Sequence, residues 1–283
     1  SSFPQIRAWK GRSTGKPDWS VRCEWSPHGL HLQLFTPHGS VYLDRLPDGA
    51  AAAKPARAPG QNDKPFHCVS EMLSPGRRPA EYDIPPSSSF HQIRTFRLAV
   101  AAAGEFTEYH GGTVESALAA VVTVFNRVGG IYERELGVQL VLVPGIEHLL
   151  FTNRCTDPFS YNGPSVQTVY EAQLVFDSLI GSPNYDLGIL LNTGAYGGAY
   201  LGSVCDPSRK GSACIGLPEP EGEAFALYAA HEMAHQLGAN HTFNSGQGTC
   251  SANRYADTAV EPGTGSTLMS YAGLPCGDDE LQP

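Results

Sequence analysis

The chain is short of charge, and shorter still of positive charge. Charged residues make up 17% of its 283 positions, and 19 lysines and arginines face 28 aspartates and glutamates, a formal net charge of −9. An acidic surface without a basic run speaks against nucleic acid or an anionic membrane as partner. Arg77-Arg78 is an isolated pair in a proline-rich stretch. No apolar run reaches the length of a membrane span; the longest, residues 98–103, is far too short. Residues Ser1-Ser2-Phe3-Pro4-Gln5 offer neither a charged n-region nor an apolar h-region, so an exported chain with this start has already lost its signal peptide. CxxC pairs are missing as well. That absence argues against a cysteine-rich metal site and for disulfides, hence for an oxidising, extracellular compartment. No EF-hand-like loop supports calcium as a second candidate ion. No Ser–His–Asp set or phosphate-cradling loop competes for function, and Ser203 lacks the strand–elbow–helix setting of a nucleophile.

What is present is enough apolar material, 41% of residues, for a sizeable core. Two regions differ in composition. In residues 30–34 apolar and polar residues alternate with period two, Pro37-His38-Gly39 supplies a turn, and residues 41–43 resume a strand. Residues 48–65 and 74–89 are rich in Ala, Pro and Ser and read as linker. Residues 1–88 are therefore expected to form a small β-rich domain with a proline-rich tail, and residues 89–283 the larger domain.

In the larger domain strands and helices alternate. Strands are expected at 93–101, 138–143 and 187–191. Helices are expected at 113–128, ended by Gly129-Gly130, at 166–180, and at 223–237, ended by Gly238. This order implies an α/β fold, with helices packed on a mostly parallel sheet.

The chemistry is concentrated in His231-Glu232-Met233-Ala234-His235-Gln236-Leu237-Gly238-Ala239-Asn240-His241. His231 and His235 are four apart, so on a helix they share one face and can share a metal. Glu232 is the next residue round the helix, beside the metal, where a base for water belongs. Gly238 has no Cβ, so a positive φ costs it little, and the chain can double back to bring His241 to the same ion. Three histidines and water make the open tetrahedral zinc site of a catalyst. Zn2+ is the expected cofactor. The full spacing arises by chance in roughly one chain of this length in ten thousand.

HExxHxxGxxH followed by a Met-turn resembles the metzincin signature. The segment Ser266-Thr267-Leu268-Met269-Ser270-Tyr271 begins 25 residues after His241 and is similar to that Met-turn. The resemblance implies that Met269 forms an apolar floor under the zinc ligands. It also implies that Tyr271 ligates zinc or donates to the transition-state oxyanion, a role that suits a phenol. Gly198, Ala199, Tyr200, Leu201 and Gly202, running on to Cys205, resemble the substrate-binding edge strand of adamalysin- or reprolysin-like enzymes, where an extended peptide adds to the sheet. Bacterial reprolysin-like peptidases share further stretches: Arg94-Thr95-Phe96-Arg97, His110-Gly111-Gly112-Thr113 and Asn240-His241-Thr242-Phe243-Asn244. Residues 1–88 resemble the propeptide of that family. Its members continue into a C-terminal helix past the Met-turn, so the end at Pro283 reads as truncated.

Seven cysteines remain to be placed. Cys205 and Cys214 bracket a short segment and could close a hairpin. Cys250 and Cys276 follow the zinc loop and the Met-turn, and a bridge would tie the two together. Cys23 is expected as a buried thiol or half of a bridge. Cys68 lies between two linker stretches, just before the catalytic region. A thiolate is a good zinc ligand, so a propeptide that laid Cys68 over the metal would displace the water and hold the enzyme latent. The competing reading is a disulfide from Cys68 to Cys23 or Cys155.

The expectation is therefore a secreted zinc endopeptidase zymogen, with protein substrates and its own propeptide as inhibitor. Two alternatives stand beside it. One is a catalytically silent binding module on a metzincin scaffold, which an intact Glu232 argues against. The other is a zinc amidase acting on small or cell-wall peptides.

Overall fold

The computed structural model describes residues 3–45, 51–55, 67–68, 93–163, 165–272 and 274–277. Most of the residues read as linker lie outside these. The N-terminal part is a five-stranded antiparallel meander: β1 (Arg7–Arg12), β2 (Ser20–Ser26), β3 (Gly29–Thr36), β4 (Gly39–Arg45) and β5 (Ala51–Pro55). Pro27-His28 and Pro37-His38 are two-residue hairpin loops, since Ser26 pairs with Gly29 and Thr36 with Gly39.

The second sheet runs in the order β6-β10-β11-β9-β7-β8, made from β6 (His67–Cys68), β7 (Arg94–Ala102), β8 (Val138–Leu142), β9 (Leu187–Asn192), β10 (Tyr196–Ala199) and β11 (Ala213–Gly216). All neighbours are parallel except β10 and β11. A central parallel strand is buried on both faces and therefore needs a continuous apolar run. β9 is buried along its whole length, and residues 98–102 of β7 are fully buried. The period of two then divides the core. Leu98, Val100 and Ala102 face one apolar cluster with Leu187, Ile189 and Leu191, while Ala99, Ala101 and Ala103 face the other with Leu190.

Among the described residues, four α-helices cover the sheet: α1 (Gly104–Tyr109), α2 (Val114–Leu136), α3 (Val166–Leu179) and α4 (Gly222–Gln236). α2 and α4 supply the first cluster; α3 supplies the second. The expected end of α2 at Gly129-Gly130 is wrong. The helix starts on a capping box at Thr113 and Ser116 and continues to Gly137, which closes it in the left-handed conformation at φ 63°. Gly130 serves packing instead: a Cβ there would lie 2.8 Å from Cζ of Phe35 on β3. The 23 residues of α2 are long and apolar enough to cross a membrane, contrary to the reading of the runs, but 56% of that window is buried inside the protein. α2 is the core helix on which the two sheets meet.

That junction is polar. Glu133 on α2 pairs with Lys10 at 2.9 Å and with Arg22, Asn126 donates to Glu24 at 2.6 Å, and the buried Arg127 pairs with Asp44. Burial works against the Asp44 charge, yet hydrogen bonds from His31 and Arg127 hold its carboxyl down at about 2. Breaking one partner of such a buried pair costs roughly 3–5 kcal/mol, because the other charge is left uncompensated.

Candidate metal centre

His231 and His235 stand one turn apart on α4, ring centroids 4.8 Å apart. The helix then stops. Gly238 adopts φ 100°, and the Ala239 N–H closes back on the Ala234 carbonyl at 2.9 Å. A Cβ on Gly238 would meet nothing, so its duty is purely conformational. The reversal brings His241 back beside the helix.

The three Nε2 atoms converge. His231 to His235 is 3.2 Å and His231 to His241 is 3.3 Å. Each opposite nitrogen faces a backbone carbonyl: His231 Nδ1 to Leu268 at 2.8 Å, His235 Nδ1 to Ala239 at 2.8 Å, His241 Nδ1 to Asn253 at 2.7 Å. A carbonyl can only accept, so each Nδ1 carries the proton and each Nε2 turns a lone pair inward. All three rings are buried. Burial drives their pKa down, to about 4 for His231 and about 3 for His241, with His235 lower than its ordinary value too. They are therefore neutral at pH 7, the form that binds metal.

Cys68 completes the cluster. Its Sγ is 3.4 Å from His235 Nε2, and the four donor atoms lie within 4.8 Å of one another, all buried. Around a tetrahedral ion with Zn–N bonds of about 2.05 Å and a Zn–S bond of about 2.3 Å, nitrogens sit about 3.3 Å apart and sulfur about 3.6 Å from nitrogen. The donor set, and the three spacings of 3.2–3.4 Å about His231 and His235, fit zinc.

Glu232 is fully buried, and its Oε2 accepts from the Cys68 thiol at 3.6 Å. Tyr271 packs its ring against His241 at 4.9 Å and Phe243 at 4.5 Å. Burial raises its phenol well above the usual range, and the neighbouring Cys68 thiol and Glu232 carboxylate push the same way. Met269 is buried, and its carbonyl accepts the Thr242 N–H at 3.1 Å, next to the third histidine.

The residues expected on an edge strand divide. Gly198 and Ala199 lie in β10, which has a neighbour on both sides: β11 through Ile215, Cys214 and Ala213, and β6 through His67 and Cys68. Tyr200, Leu201 and Gly202 lie beyond the strand. The N–H groups of Gly202 and Val204 bond the carbonyls of His235 and Gln236 at 2.8 and 3.0 Å, capping α4. β10 is thus not a free edge while Cys68 is in place.

Of the two disulfides expected, Cys250–Cys276 is present. Cys205 and Cys214 are not joined, which corrects the hairpin expectation. Cys214 points into the apolar cluster under α3, whereas Cys205 is exposed at a turn. Cys68, too, is in no disulfide with Cys23 or Cys155.

Sequence reasoning missed several parts. The three carbonyls that orient the imidazoles belong to the backbone and leave no residue signature. Glu261 was missed as well. Its carboxylate accepts from the Thr242 and Thr267 hydroxyls and from the Ser266 and Thr267 N–H groups, joining the chain after His241 to the 266–271 segment.

Residues 92–280 match a described family, the M12B reprolysin-like metallo-peptidases. The match spans two thirds of the chain and contains the three histidines. This chain belongs to that family. M12B metallopeptidases use zinc, and the buried histidine–cysteine cluster is a group that could hold such an ion. The metallopeptidase is 24% identical over 222 residues to "A disintegrin and metalloproteinase with thrombospondin motifs 1" of Bombyx mori. That stretch is 72% of this chain and 21% of the silkworm protein, so the chain spans about a fifth of its relative. Among solved structures, metalloproteinase-II from Bacteroides fragilis aligns with a TM-score of 0.41 at 12% identity, over 86% of this chain and 78% of that one.

Proposed function

We propose that this M12B metallopeptidase is a secreted zinc endopeptidase in its latent form, with residues 1–88 as propeptide and Cys68 as the group that closes the metal centre. One observation carries the reading: Nε2 of His231 lies 3.2 Å from that of His235 and 3.3 Å from that of His241, each imidazole aimed by a carbonyl behind it, with the Cys68 thiol 3.4 Å from His235 Nε2. His231, His235 and His241 would hold the zinc. Bound there, zinc supplies Lewis-acid polarisation of the scissile carbonyl and lowers the pKa of a water towards ~7.

The chain's own residues do the rest. Glu232 takes a proton from the attacking water and passes it to the leaving amine. Tyr271, a neutral phenol, donates to the developing oxyanion. Met269 anchors the floor through its link to Thr242. Gly198 and its neighbours in β10 offer the backbone ladder on which an extended peptide lies, the side β6 occupies in the latent state. A ladder of this kind favours protein substrates over small amides. Beside His231 a cavity of about 450 Å³ is lined by Leu227, Leu268 and Leu274 together with Phe35 and Tyr42 of the N-terminal sheet, so an apolar substrate side chain would lie where those two now stand. The disulfide Cys250–Cys276 supports an oxidising compartment.

The test uses zinc content and casein cleavage on the full chain carrying Cys68→Ser, so that the thiol does not hold the rate down. Glu232→Gln should keep about one zinc per chain and lose at least a hundredfold in rate. His241→Ala should lose the metal itself. Unchanged cleavage by Glu232→Gln sinks the mechanism, and a zinc-loaded parent that cleaves nothing makes a binding module the better account.

A further inference from the structure

We propose that Gly197 is a positioning residue for Glu232: the side chain it lacks is the slot in which the carboxylate rests. This rests on the assignment of Glu232 as the base.

Gly197 sits in β10, paired with Ile215 of β11 on one side and Cys68 of β6 on the other. Its backbone gives no reason for glycine, since it is not among the residues with positive φ. Two positions on, the same strand carries an alanine, Ala199, buried without difficulty. The reason is space. A Cβ on Gly197 would stand 2.4 Å from Glu232 Oε1, 2.7 Å from its Cγ and 2.8 Å from its Cδ. All three close approaches are to one side chain. Gly238 is the converse case, with a left-handed backbone and nothing near its missing Cβ. The two glycines serve the site by different means: Gly238 lets the third ligand arrive, and Gly197 lets the base lie down.

An alanine here needs roughly 1 Å more room to reach ordinary contact. Glu232 is fully buried and joined to α4, which also carries two of the imidazoles, so the carboxylate gives way rather than the helix. A displacement of about 1 Å in a group that must meet a reacting atom costs on the order of a hundredfold in rate. Zinc should still be held, because the three atoms nearest that Cβ all belong to Glu232 and none to a histidine ligand.

The experiment compares Gly197→Ala, Glu232→Asp and the double variant in a full chain carrying Cys68→Ser, so that the thiol does not mask turnover. Gly197→Ala should lower kcat about a hundredfold, keep KM within about threefold and retain one zinc per chain. Aspartate is one methylene shorter and withdraws from the slot, so Gly197→Ala should cost less than about threefold when added to Glu232→Asp. A crystal structure of Gly197→Ala should show the carboxylate displaced while β10 stays in place. A full hundredfold loss in both backgrounds, a loss confined to KM, or a shifted strand beside an unmoved carboxylate overturns the proposal. A parent chain that binds zinc but cleaves nothing overturns instead the assignment of Glu232 as a base, and the crystal structure still reads the contact.

Discussion

The Cys68 thiol lies 3.4 Å from Nε2 of His235, although 167 residues separate them in the chain. The strand that carries Cys68 pairs with β10 at Gly197, so the same short segment closes the metal centre and the sheet edge. On the proposed reading, latency would have two parts, a ligand and a strand.

Replacing Cys68 with serine removes the first part. A hydroxyl is a far poorer zinc ligand than a thiolate. Basal casein cleavage by the zinc-loaded full chain should rise at least about tenfold. The same low rate in both proteins would mean that the thiol does not hold the enzyme back.

The Cys250–Cys276 bridge closes a separation of 26 residues. Inside that loop Thr258 donates to the His241 carbonyl, Glu261 makes its four bonds, and Met269 accepts from Thr242. Changing both cysteines to serine should cost about 3–4 kcal/mol by loop entropy. Urea unfolding measures it. Zinc should also bind more weakly, since the Leu268 and Asn253 carbonyls behind His231 and His241 lie in the same loop. An unchanged urea midpoint would show that the loop is held by its hydrogen bonds alone.

His110 makes stability depend on pH. Burial, helped by the nearby His28 ring at 6.2 Å, lowers its pKa to about 4, against a weaker opposite pull from the Pro220 carbonyl. The unfolded chain therefore takes up the proton first, near pH 6.5. Its contribution is complete above that value, shrinks as pH falls towards 4, and is gone below. Discounted for partial exposure, the loss is on the order of 2 kcal/mol. Unfolding curves at pH 7 and pH 4.5 should converge in His110→Gln relative to the parent. An equal pH slope in both would place the sensitivity elsewhere.

Much of the fold was legible where physics is local. Residues 187–191 form one uninterrupted apolar run because β9 is buried on both faces, and they read correctly as a strand. The end of α2 was misread because glycine has two meanings. Gly137 stops a helix through its backbone, whereas Gly130 makes room for Phe35, and nothing in a glycine tells the two apart. The Cys205–Cys214 pairing failed for a related reason: closeness along the chain does not set the direction in which a thiol points.

The sequence alone determined the candidate ligand triad. Helical spacing puts His231 and His235 on one face, and a glycine at position 238 permits the reversal to His241; both are properties of a few neighbouring residues. Only the tertiary structure decided what stands around that triad. Cys68, Gly197, Glu261 and the Leu268 and Asn253 carbonyls come from outside the 231–241 stretch. Their meeting depends on how two sheets and α2 pack, and such long-range contacts leave no period or spacing to read.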